Sequence, residues 1–181
     1  MPTFLAGQRL TASALNHMYG SGDAGARSAT AASMTQISSQ YVIPANDAAI
    51  GVAYRLCTWG LGTQGSSAQT LAFRANTISG AGLAATTIGS GFASTNAGFR
   101  WWARMTCLVS QIGSGGTITG FLEGGVVQVS TTNTTSGFNA EWQGSSINTT
   151  TNWGIEIDCQ WGSTTGSPTI SCAGTLFERI G

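Results

Sequence analysis

From about Tyr41 onward, apolar and polar residues alternate with a period of two, and that regularity restricts the chain to β structure. Successive side chains of a strand point to opposite faces, so each alternating run marks a core side and a second side. Val52, Tyr54 and Leu56 alternate with Ala53, Arg55, Cys57 and Trp59, and Gly60 to Ser67 then supply a turn. Leu71 and Phe73 alternate with Ala72 and Arg74. Phe99, Trp101, Ala103, Met105, Cys107 and Val109 share one face, opposite Arg100, Trp102, Arg104 and Thr106. Trp153, Ile155, Ile157, Cys159 and Trp161 share another, opposite Glu156, Asp158 and Gln160. Further runs fall near Ile118 to Val129, Phe138 to Trp142 and Ile170 to Leu176. Clusters of Gly, Ser, Thr and Asn bound them, as strands joined by hairpins require. No window after residue 40 supports an amphipathic helix. The pattern predicts an all-β antiparallel sandwich of about eight strands.

Residues 1–40 follow different rules. Thr11 or Ser13 can cap a short helix through Ala12, Ala14, Leu15, His17 and Met18 that stops at Gly20. Ser21 to Ser33 is rich in Gly, Ala and Ser and reads as a linker. Phe4, Leu5, Leu10 and Leu15 are too few to build a core, but they suffice for an apolar plug that docks on another surface. The expected division is therefore a docking segment and linker over 1–40 and a β domain over 41–181.

The chain has 181 residues, long enough for one domain that buries roughly 70% of its unfolded surface. Only 8% of them are charged, against a usual share of about 25%. Lysine is absent, the basic residues are all arginine, and the net charge is zero. Phosphate binding needs a basic patch, so a nucleic-acid partner is not expected. A neutral, lysine-free surface also lacks a common guard against edge-to-edge strand pairing. It suits a protein much of whose surface neighbouring subunits cover. The start of the chain lacks the basic-then-apolar pattern of a signal peptide, and no apolar run approaches the ~18 residues of a membrane span. Synthesis in a cytoplasm as a soluble protein is the expectation.

Catalytic and metal chemistry find little footing. Cys57, Cys107, Cys159 and Cys172 form no CxxC pair and the chain has one histidine, so zinc is not expected. The cysteines read as buried apolar thiols, with one or more disulfides as the alternative. His17 lies beside a linker, a poor base for a preorganised triad. Glu156 and Asp158, two apart on one strand face, place their carboxyls roughly 5–7 Å apart, a spacing glycosidases use. Arg55, Arg74, Arg100 and Arg104 also lie on strands, however, and pairing acids with arginines across strands accounts for both sets. Gly113 to Thr117 precedes a strand instead of a helix, so it is no phosphate loop. The Asn-Thr-Thr tripeptides at Asn133 and Asn148 read as turns. No catalytic residue, cofactor or metal is predicted.

Six tryptophans are a heavy load for this length. Trp101 and Trp102 are adjacent, so a strand sends one into the core and the other outward. An outward Trp102 beside Arg100 and Arg104 suits a subunit interface or a glycan platform. The alternative is an aromatic covered by a loop of its own chain.

Phe4-Leu-Ala-Gly-Gln-Arg-Leu-Thr-Ala-Ser-Ala-Leu-Asn16 resembles the opening of many small tail and fibre proteins of phages, especially those of actinobacteria. The remainder resembles their C-terminal jelly-roll domains of the tumour-necrosis-factor/C1q type. The similar pieces are Ile43-Pro-Ala-Asn46, Tyr54-Arg-Leu-Cys-Thr-Trp-Gly60, Thr70-Leu-Ala-Phe-Arg74, Ile155-Glu-Ile-Asp-Cys-Gln-Trp-Gly162 and Leu176-Phe-Glu-Arg-Ile-Gly181. The resemblance implies a jelly roll and a homotrimer on the virion, with Phe4, Leu5, Leu10 and Leu15 docked to other virion proteins. A minor tail protein (fibre, tip or knob) that touches the host surface is the leading expectation. A capsid decoration protein of the same architecture and a carbohydrate-binding module that contacts host glycan are the alternatives. It carries over no catalytic residue.

Overall fold

The computed structural model describes residues 21–23, 27–66, 69–78, 82–88, 98–128 and 135–181. The expected helix, His17 and the four plug residues lie outside them. The described residues contain strands and no helix. Four strands are short: β1 (Ser21–Asp23), β2 (Ser28–Ala29), β3 (Thr35–Gln36) and β4 (Tyr41–Ile43). The longer ones are β5 (Ala53–Thr63), β6 (Leu71–Thr77), β7 (Gly82–Ile88), β8 (Gly98–Gln111), β9 (Gly116–Gln128), β10 (Thr135–Ile147), β11 (Trp153–Trp161) and β12 (Thr169–Ile180).

They form two antiparallel sheets packed as a sandwich. The larger runs β1-β12-β5-β8-β9-β10, with β2 also on β12, and the smaller runs β3-β11-β6-β7, with β4 also on β11. Tyr54, Leu56, Phe99, Trp101 and Met105 of the larger sheet meet Phe73, Ile155, Ile157 and Trp161 of the smaller, all essentially inaccessible. Aromatic contacts tie the layers together: Phe73 lies 5.4 Å from Trp101 and Tyr54 lies 5.4 Å from Trp153, centroid to centroid. Burying each such side chain stabilises the fold by about 1.5–3 kcal/mol.

Glycine and aromatic residues meet in register wherever the larger sheet is most crowded. Gly60 pairs with Trp101, Gly62 with Phe99, Gly120 with Trp142 and Gly124 with Phe138. At each position the ring and a neighbouring backbone carbonyl together fill the volume a side chain would need; a Cβ on Gly62 would sit 2.3 Å from the Phe99 ring and 2.6 Å from the Thr169 carbonyl oxygen. This corrects the turn expected from Gly60 to Ser67. β5 continues to Thr63 because Gly60 and Gly62 are inward sockets, and the turn begins only at Gln64.

Two further expectations change. The stretch from Ser21 to Ser33, read as a linker, carries pairing: β1 and β2 add to β12. Ala29 and Ile37 join the core, the Trp161 indole N–H donates to the Ala29 carbonyl at 3.2 Å, and the Cys172 amide donates to the Arg27 carbonyl at 2.8 Å. β11, read as half-buried, is buried on both faces from Trp153 to Cys159. One face looks into the core, and the other holds a polar cluster.

Candidate functional site

The outer face of the larger sheet gathers exposed apolar side chains. Trp59 and Leu61 on β5, Trp102 and Leu108 on β8, Phe121 on β9, and Leu176 and Ile180 on β12 are all at least a third exposed. Alternation produces this directly. Once Tyr54, Leu56, Trp101 and Met105 occupy the core, their odd-numbered or even-numbered neighbours must face out. The expected split of Trp101 inward and Trp102 outward holds, with 2% and 46% exposure.

Trp59 and Trp102 are cross-strand partners. Each lies beside a glycine of the next strand outward: Gly174 is in register with Trp59, and Gly125 with Trp102. A Cβ on Gly174 would come within 2.7 Å of the Trp59 ring, and one on Gly125 within 3.0 Å of the Trp102 indole nitrogen. The two indoles therefore lean apart over their glycines, and together they cover a row four strands wide. A hollow of about 290 Å³ lies beside Trp102, walled by Glu123, Gly137 and Asn139 among others.

Charges around this row are largely paired within the sheet. Arg104, in register with Glu123, donates through Nε to Glu123 Oε1 at 2.6 Å, and its Nη2 reaches the same oxygen. Arg55 donates to Glu178 at 3.2 Å across β5 and β12. Both pairs are part-exposed, so each contributes about 1 kcal/mol or less to stability. Arg100 and Glu141, both exposed, make no ion pair among the described residues. Arg100, Trp102 and Arg104 thus share one face, with Arg104 engaged and Arg100 available. Trp59, Leu61 and Phe121 belong to the same surface and were not singled out from sequence. Alternation alone does not say which of two apolar sets along β5 faces the core.

The carboxylates considered for catalysis are tied into a network on the outer side of the smaller sheet. Asp158 faces Arg74 in register and accepts from its Nη2 at 2.5 Å and its Nε at 3.2 Å. Asn76 Nδ2 bridges the two acids, donating to Glu156 Oε1 at 2.9 Å and to Asp158 Oδ2 at 3.0 Å. Gln40 Nε2 donates to Glu156 Oε2 at 2.7 Å. Burial pushes the Glu156 carboxyl above its ordinary value, and the neighbouring Asp158 charge adds to the shift. Cross-strand pairing with arginine accounts for Asp158; amides, not an arginine, hold Glu156.

All four cysteines are free thiols. Cys107, Cys159 and Cys172 are buried, whereas Cys57 is half-buried on the outer face between Leu176 and Arg104, contrary to its expected place in the core. Burial pushes the Cys107 and Cys159 thiols up to about 12. Among the described residues no cluster of three or more His, Cys, Asp or Glu is placed to hold a metal ion.

Comparison with known proteins returned no matching family model, no matching curated protein and no matching solved structure.

Proposed function

We propose that the chain is a structural, non-catalytic component of a phage virion, a minor tail protein docked through its N-terminal segment. In this reading it is a homotrimer without cofactor, and its β domain contacts the host surface. The observation that carries the proposal is the outer face of the larger sheet. Four strands about 4.8 Å apart, rising about 3.3 Å per residue, give that face an area on the order of 700 Å². A standard protein interface buries roughly 800 Å² per partner. Trp59 and Trp102 form an apolar row, and the Arg104–Glu123 and Arg55–Glu178 pairs lie in neighbouring rows of the same face. Tryptophan and arginine are among the residues enriched at protein interfaces. A neutral, lysine-free chain that exposes such a face is best kept in solution by covering it with another subunit.

The repeated passage of the chain between sheets supports a jelly roll as the finer architecture. β5 and β8 lie in one sheet while β6 and β7, between them in sequence, lie in the other; β10, β11 and β12 alternate likewise. The β9–β10 hairpin then extends the larger sheet at one edge.

Light scattering on the purified full chain tests the assembly. A trimeric mass that falls to a monomer in Trp102→Glu is expected; a monomeric wild-type mass removes the proposal. Cryo-EM of the particle then distinguishes a tail position from a capsid decoration by where density for the chain lies.

A further inference from the structure

A separate concave feature shares no lining residue with the hollow beside Trp102. At one end of the sandwich the two sheets part around a cleft of about 500 Å³, within the usual range for small-molecule sites. Thr77 at the end of β6, Ser146 at the end of β10, Asn148, Thr151 and Asn152 of the following loop, and Trp153 at the start of β11 line it. Among the described residues, every polar side chain in its lining is a neutral hydroxyl, amide or indole, and none is ionisable.

The loop is held in place before any ligand arrives. Thr149 locks it to the β8–β9 turn: its amide donates to the Gly113 carbonyl at 3.0 Å, and its hydroxyl accepts from the Gly113 amide at 2.8 Å. Asn148 Oδ1 accepts from the Thr150 amide at 3.0 Å and hydroxyl at 2.7 Å, and Asn152 Oδ1 accepts from the Ala45 amide at 3.0 Å. Both carboxamides thus spend their oxygens on the protein, and their N–H₂ groups are left as donors without a partner among the described residues. The Trp153 ring, 6% exposed, closes the wall of the cleft.

We propose that this cleft is a binding site for a neutral sugar ring. A hexopyranose is uncharged, rich in hydroxyl oxygens that accept from the two carboxamide donors, and able to donate to the Thr77, Ser146 and Thr151 hydroxyls. It also presents C–H faces to an aromatic wall. Phosphate and carboxylate ligands lack a cation here, and a purely apolar ligand would strand the donors. For a ligand of this size a Kd on the order of millimolar is expected. The site stands independently of the virion reading, since it uses none of the outer-face residues.

Titration of the full chain with D-glucose, D-galactose, D-mannose and N-acetyl-D-glucosamine, followed by amide NMR, tests it. At least one should shift the resonances of residues 146–153 saturably, and D-glucuronate should bind more weakly than its neutral counterpart. Ser146→Tyr, at an exposed position, should abolish the shifts by filling the cleft. Trp102→Ala should bind as wild type. No saturable shift with any of the four sugars, or undiminished binding in Ser146→Tyr, overturns the proposal.

Discussion

Trp59 and Trp102 stand directly opposite one another across β5 and β8, 45% and 46% exposed, with their rings turned away from each other onto Gly174 and Gly125. Buried in an interface, each would be an anchor of the kind whose truncation costs about 2 kcal/mol or more of association. Trp59→Ala and Trp102→Ala should each weaken the oligomer while leaving the melting temperature of the dissociated subunit within a few degrees of wild type. Concentration-dependent sedimentation, set beside thermal unfolding, reads the two effects separately.

The inward and outward glycines should respond differently to the same change. A Cβ on Gly60 would lie 1.8 Å from the Ser171 carbonyl oxygen, a backbone atom that cannot turn aside. Gly60→Ala should cost about 3 kcal/mol or prevent folding. Gly174→Ala meets the edge of the Trp59 ring at 2.7 Å instead, on a solvent-facing side chain with room to move. It should fold with a small loss and a shifted tryptophan emission. Denaturant titration of both proteins makes the comparison.

Asp158 is almost fully buried, and Arg74 covers it with a side chain 28% exposed. Asp158→Ala would leave the Arg74 guanidinium without the carboxylate it donates to and Asn76 with Glu156 as its one remaining acid acceptor. Removing one partner of a buried pair costs about 3–5 kcal/mol, and the part-exposed arginine places this case at about 3. Chemical denaturation of Asp158→Ala checks it, with Arg55→Ala as a surface-pair control expected near or below about 1 kcal/mol.

Glu156 gives stability a pH dependence of definite sign. Its folded value is raised above the ordinary 4.5, chiefly by burial, so the native state holds the proton more tightly than the unfolded one. The stabilisation is therefore complete below 4.5 and is lost as pH rises through the raised folded value. Glu156→Gln should remove that downward step and unfold at a higher denaturant concentration than wild type at neutral pH. An unchanged slope in the variant would mean that other groups set the dependence.

Shortening the chain should separate docking from folding. A chain beginning at residue 34 loses Arg27 and Ala29, and with them the carbonyls that accept from the Cys172 amide and the Trp161 indole. It should be several kcal/mol less stable than a chain beginning at residue 21, by the usual cost of orphaned buried donors and lost apolar contact. Thermal unfolding of the two chains is the measurement.

What sequence discloses here depends on how far each residue's environment extends along the chain. β8 was fully legible, because Phe99 to Val109 and Arg100 to Ser110 alternate without interruption and the strand has one core side. β11 alternates just as cleanly, yet both of its faces are buried. Asn76, Arg74 and Gln40, which close over Glu156 and Asp158, come from strands and segments distant in sequence. β5 misled in a different way. Beyond Leu56 the bulky residues switch to the outer set, Cys57, Trp59 and Leu61, and the inner set becomes Thr58, Gly60 and Gly62. Only knowledge that Trp101 and Phe99 lie opposite explains why small residues are inside. The short strands β1 to β4 have two or three residues each, too few for any period to register. The sugar-sized cleft was equally hidden, since Thr77, Ser146 and Trp153 meet only once the sheets have paired.

The sockets formed by Gly60, Gly62, Gly120, Gly124, Gly125 and Gly174 have a consequence for how this sequence can drift. Each holds a ring from the adjacent strand, so the acceptable residue at one position depends on the residue at the other. Substitutions at these sites are strongly non-additive. A larger residue at Gly62 needs both a smaller Phe99 and a shift of the Thr169 carbonyl, whose oxygen would lie 2.6 Å from the new Cβ. Variation in the larger sheet is therefore most restricted at these inward glycines, where a ring and a backbone carbonyl must both give way, and freer at Gly125 and Gly174, where only a tryptophan ring stands close and bulk can be exchanged between partners.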